Sequence, residues 1–188
     1  AFETARAQEA MRHLQKDPEK SLEAIRQIPS PQLRARMLAT VASVAGSKEP
    51  PEGRALLGKV IAALEDMKAP EWRSSAWSTV AGSAAKLKDM ELALKALEKG
   101  LADAKVMYKI DADVDDRNLA PRSTWPSTMQ YKQLFYRAAM SLGEEAELLL
   151  DKIPDTEIQV MARTEMAAAW LNAPASPWFV QVRRAPKR

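Results

Sequence analysis

Pro31-Gln32-Leu33-Arg34-Ala35-Arg36-Met37-Leu38-Ala39-Thr40-Val41-Ala42 returns, 39 residues on, as Pro70-Glu71-Trp72-Arg73-Ser74-Ser75-Ala76-Trp77-Ser78-Thr79-Val80-Ala81. The two stretches coincide at proline, arginine, threonine, valine and alanine. Each opens with the punctuation of a helix start. Ser30 supplies a capping hydroxyl, and Pro31 stands at the first helical position, where its missing N–H removes nothing that would have been bonded. Ala69-Pro70 and Asp155-Thr156 occupy comparable starts. A second match joins Ile25 to Ser30 with Leu150 to Asp155, at an offset of 125, and continues through Leu33 onto Ile158 and Val41 onto Met166. A weaker copy opens at Pro126-Ser127 and runs through Ala138-Ala139 to Gly143. Self-similarity of this kind points to one supersecondary unit used several times.

Working outward, the apolar period is helical nearly throughout. Met90, Ala93, Leu94, Leu97, Leu101, Ala104 and Tyr108 recur at steps of three and four, which places them on one face of a helix. Leu56, Leu57, Val60, Ile61, Leu64 and Met67 form a second such stripe. Period-two alternation of useful length is missing, so no sheet is expected. Pro29 and Pro154 each follow an isoleucine that closes a helix, because proline disfavours helical geometry in the residue before it. These signals predict nine helices, about 3–15, 18–28, 31–45, 51–67, 70–86, 88–108, 127–141, 144–153 and 156–171. Connections of a few residues make sequential helices antiparallel neighbours. The expectation is an all-α chain, an α-α superhelix of stacked antiparallel helical hairpins. Each hairpin leaves an apolar side that only its neighbour can cover. Residues 1–172 then form one helical-repeat domain with a long loop at 109–126, followed by an irregular basic tail at 173–188.

The phrase Leu22-Glu23-Ala24-Ile25-Arg26-Gln27-Ile28-Pro29-Ser30-Pro31-Gln32-Leu33-Arg34-Ala35 resembles the alanine-rich "IPDP-x-LRA" helical repeats of uncharacterised bacterial proteins. Those are similar in pattern to tetratricopeptide and HEAT-type α-solenoids. Ala120 to Ser127 and Ile153 to Ile158 carry the same look, so the resemblance covers roughly residues 20–172. It implies hairpin geometry rather than a reaction, and a scaffold that binds a protein or peptide.

Composition narrows the chemistry. The 188 residues include no cysteine and one histidine, His13, which excludes disulfides, thiolate metal sites and catalytic histidine clusters. No apolar run reaches the roughly 18 residues of a membrane-spanning helix. The net charge of +3 belongs to the tail: Arg183, Arg184, Lys187 and Arg188 stand there with no acid, leaving residues 1–173 one negative charge past neutral. A folded body with no net cationic excess argues against nucleic acid as the partner. The six glycines are scattered singly, so no phosphate-cradling loop is present. The chain begins at Ala1 without Met, as after removal of a leader, which would place it outside the cytoplasm, or as a piece of something longer. Oligomeric state is not legible.

Candidate sites are few. Asp111-Ala112-Asp113-Val114-Asp115-Asp116 has the alternating oxygens of a calcium loop. Such a loop also needs glycine at its sixth position and a bidentate acid at its twelfth. Those positions hold Asp116 and Arg122, so neither metal nor other cofactor is expected. The segment reads as an acidic loop, and Asp113, Asp115, Asp116, Arg117 and Trp125 are its candidate partner contacts. Trp125, next to Pro126 at a helix entry, reads first as a staple against the helix that comes after it and second as an exposed anchor. Trp72 and Trp77 are expected between helices, Trp170 at the end of the stack, and Trp178-Phe179 folded back over the last hairpin. The expected function is a non-enzymatic scaffold for a protein or peptide. The rival is a small-molecule-binding or hydrolytic helical domain with acids such as Asp113 or Glu157 in a cavity between helices.

Overall fold

A computed structural model describes residues 2–115, 125–153 and 155–172. Among them every element is helical: α1 Phe2–His13, α2 Pro18–Arg26, α3 Pro31–Ala45, α4 Pro50–Glu65, α5 Pro70–Lys86, α6 Met90–Asp115, α7 Pro126–Leu142, a 3-10 helix Gly143–Lys152, and α8 Thr156–Asn172. The fold is all-α, as the periodicity implies. Four of the starts are capped by the side chain of the residue just before the helix: Asp17 Oδ1 accepts from Lys20 N, Ser30 Oγ from Leu33 N, Asp89 Oδ1 from Leu92 N, and Asp155 Oδ1 from Glu157 N and Ile158 N. Lys88, at φ 58, and Gly143, at φ 61, take the left-handed backbone at the ends of α5 and α7.

Each element packs against neighbours one or two places along the chain, and the stack stays open. Alternate helices run the same way. Glu3 of α1 accepts from the backbone N–H of Ser30 before α3, and Gln130 of α7 donates to the carbonyl of Glu71 in α5. Those contacts set helix starts side by side. At the far ends, a Cβ on Gly46 after α3 would lie 2.9 Å from Ser83 of α5, and one on Gly82 of α5 3.6 Å from Ser141 of α7. Within a hairpin the direction reverses: Asp103, late in α6, meets Arg73, early in α5. Thus α1, α3, α5, α7 and α8 form one layer, and α2, α4, α6 and the 3-10 helix form the other. A continuous apolar core runs between the layers, with Ile25, Leu38, Leu57, Trp77, Leu97, Phe135 and Ile158 fully enclosed.

Three bonds recur at aligned positions. Arg34 donates to the carbonyl of Ile28, Arg73 to that of Met67 (2.6 Å), and Gln159 to that of Ile153 (2.7 Å), each reaching back six residues. The fourth residue of a helix thereby holds a carbonyl one or two residues past the end of the helix before it, in the short connection between them. These positions are separated by the same 39 and 125 residues as the sequence matches.

Two expectations need correction. The long loop does not begin after Tyr108: α6 continues to Asp115, so Asp111, Asp113 and Asp115 are helical. Aspartate is a poor helix former, but Tyr108 packs on Trp125 and Tyr131 at centroid distances of 5.2 and 6.3 Å, and tertiary packing carries the helix onward. Trp72 is not a buried packing residue, being 39% exposed. It sits in the first turn of α5, opposite Leu33 in the alignment, which is itself only half-buried.

Candidate interaction surface

Among the described residues, the acidic segment is not gathered into one site. Asp111 Oδ2 accepts from Ser127 N at 2.8 Å, so its role is to cap α7 from the neighbouring helix. Asp113 is exposed two residues before the end of α6, and Asp115 ends that helix, its side chain outside the described part of the structure. Asp116 and Arg117 lie outside the described residues, as do the tail at 173–188 and its Trp178-Phe179. Trp125 is buried, tilted at 50° against Tyr108, so it is an internal staple, to α6 as well as at the start of α7. Aspartates at alternate positions of one helix point to different faces, since residues two apart are not neighbours on it. Among the described residues no group of three or more histidines, cysteines or acids is placed to hold a metal ion. No described helix is long and apolar enough to cross a membrane.

Among the described residues, buried charge is confined to one network. Asp103 accepts from Arg73 Nε (3.0 Å) and Nη2 (2.5 Å) and from Trp77 Nε1 (3.1 Å), while Lys99 stands over the Trp77 ring at 5.6 Å. Every donor there has an acceptor, and the group ties α5 to α6. Tyr131, enclosed between α6 and α7, has its phenol pKa pushed up, chiefly by burial, with the charges of Tyr108 and Asp155 adding to it. The best-formed depressions are lined by Gln15, Ser43, Val44, Ser47 and Lys48, and by Pro31, Arg34 and residues 66–69. Neither brings two acids together.

A different surface stands out: the outer face of α3, α5 and α7. On α5 it is the stripe Trp72, Ser75, Thr79, Gly82 and Lys86, at steps of three and four. On α3 the matching stripe is Leu33, Arg36, Thr40 and Ser43, and on α7 it is Met129, Gln133, Arg137 and Met140. The adjacent starts and ends of these helices bring the three stripes side by side. Trp72, Met129 and Met140 are large apolar side chains left in solvent. Arg36, Lys86 and Arg137 are exposed, and their side chains make no hydrogen bond or ion pair with any described residue. The signal was in the sequence, in the polar stripe below Trp72, but only the packing shows which stripes adjoin. No protein-family model, curated protein or solved structure matches this chain.

Proposed function

We propose that the chain is a non-enzymatic helical-repeat scaffold that binds a protein or peptide partner across the face of α3, α5 and α7. The observation carrying this reading is the uncovered face itself, where Trp72, Met129 and Met140 lie among small hydroxyl residues such as Ser43, Ser75 and Thr79. Exposed aromatic and methionine side chains are the usual anchors of interfaces, methionine because its flexible thioether adapts to many shapes. We take the hairpins to be copies of one unit, of the α-solenoid kind that the Ile-Pro phrases resemble. The three reach-back bonds at aligned positions support this. A stack built from such units presents an extended surface rather than a cleft.

The rival, a hydrolytic or small-molecule site using Asp113 or Glu157, has less to stand on, since both acids are exposed and sit on different helices. A direct test compares intact protein with a Trp72→Ala/Met129→Ser/Met140→Ser variant in affinity capture from native lysate. The expected result is a partner retained by the intact chain and lost by the variant. Identical sets of retained proteins would contradict the assignment of the face.

A further inference from the structure

The two layers of the stack differ in charge. The layer of α1, α3, α5, α7 and α8 holds nine lysines and arginines against five acids, and its α3, α5 and α7 alone hold six bases and a single acid, Glu71. In α2, α4, α6 and the 3-10 helix there are fourteen acids and nine bases. The near-neutral body therefore conceals a cationic face backed by an anionic one. Of the six bases, Arg73 is committed to Asp103, Lys132 lies 4.0 Å from Glu165 of α8, and Arg34 donates to the Ile28 carbonyl. The remaining three, Arg36 on α3, Lys86 on α5 and Arg137 on α7, have no partner among the described residues. Each helix of the face thus contributes one such cation, and each lies on a stripe that also carries a large apolar side chain: Leu33, Trp72, or Met129 with Met140.

We propose that the occupant of this face is an acidic peptide segment with large apolar side chains, its carboxylates paired with Arg36, Lys86 and Arg137 and its apolar groups set on Trp72, Met129 and Met140. This deepens the scaffold reading and rests on it. Charge complementarity selects the sign of the partner and repels the wrong one. Three such cations are too few for a nucleic-acid duplex, which is held by many phosphate contacts at once. The acids of the opposite layer also disfavour a polyanion long enough to wrap round the edge. The small side chains between the cations, Ser43, Ser75, Thr79 and Gly82, leave room for a peptide backbone to lie close.

The test is selection of twelve-residue random peptides against the immobilised full chain. Recovered peptides are then measured by fluorescence anisotropy at low and high salt, beside a labelled twelve-nucleotide thymidine oligomer. The expected result is recovery of peptides rich in Asp and Glu with Leu, Phe or Met, binding at least tenfold more weakly in high salt. The Arg36→Glu/Lys86→Glu/Arg137→Glu variant, its fold checked by circular dichroism, loses at least tenfold in affinity. The milder Arg36→Gln/Arg137→Gln variant loses less, and Trp72→Ala weakens binding without changing the salt dependence. Neutral or basic peptides that bind and are weakened by Trp72→Ala would overturn the acidic assignment while leaving the scaffold reading intact. Oligonucleotide binding tighter than any peptide, and lost in the charge-reversed variant, would overturn it in favour of nucleic acid. Failure to recover any peptide would overturn both readings.

Discussion

Trp72 and Trp77 are five residues apart in one helix and do opposite things. Trp77 is 2% exposed and gives its indole N–H to Asp103, whereas Trp72 is 39% exposed. Trp77→Ala is expected to destabilise the fold by about 3–5 kcal/mol, the range for removing an enclosed aromatic ring. Trp72→Ala should cost under about 2 kcal/mol, because less apolar area returns to water. Chemical denaturation of the two variants checks the order, and equal losses would contradict the placement. Alignment alone gives both tryptophans the same reading, since each falls opposite a leucine; the Ser, Thr, Gly and Lys farther along the Trp72 stripe are what separate them. Tyr131 supplies a pH test. Its neutral form is favoured in the fold, so the unfolded chain releases this proton first, near the ordinary phenol value of about 10. Stability contributed by the neutral phenol is whole below that pH and falls as pH rises above it toward the raised folded value. Denaturation midpoints followed into alkali should decline less steeply for Tyr131→Phe than for the intact chain.

At the scale of elements, α4 carries its own control. A Cβ on Gly53 would lie 2.5 Å from the carbonyl oxygen of Ala45, a backbone atom that cannot yield cheaply, while one on Gly58 meets nothing within 4 Å. Gly58→Ala is therefore expected to stabilise by about 0.5–1 kcal/mol through helix propensity. Gly53→Ala should destabilise despite the same propensity gain, because α4 must move away from the end of α3. Thermal melts of the pair measure the contrast directly. The tie between the end of α6 and the start of α7 gives a second test. Asp111→Ala removes the acceptor for Ser127 N and should lower stability by about 0.5–2 kcal/mol, the usual effect of losing a cap; no change on denaturation would leave that bond without weight. Helix starts marked by Ser-Pro or Ala-Pro were legible in the sequence because their chemistry is local. The far end of α6 was not, since Tyr108, Trp125 and Tyr131 meet only after the chain has turned back.

At the scale of the molecule, the all-α class was legible in the helical period, and the 39- and 125-residue matches fall on the reach-back bonds of Arg34, Arg73 and Gln159. The face proposed for binding was hidden for a different reason. Net charge summed along residues 1–173 nearly cancels, and the cancellation is between layers that a linear reading cannot assign. The acidic run around Asp113 drew attention as a partner loop, yet Asp111 caps a helix and Trp125 is internal. The exposed side chains Trp72, Met129 and Met140 are scattered through two helices and come onto one face only in three dimensions.

The architecture rests on one physical claim, that each hairpin is held by its immediate neighbours and by nothing farther away. Native-state hydrogen exchange on the full chain, intact and with Phe135→Ala in α7, tests it most directly. The expected result is faster exchange in α7, the 3-10 helix, α8 and the adjoining parts of α5 and α6, with amides of α1 to α3 protected as before. A uniform loss of protection reaching α1 would contradict the open stack and point to helices gathered round a single centre.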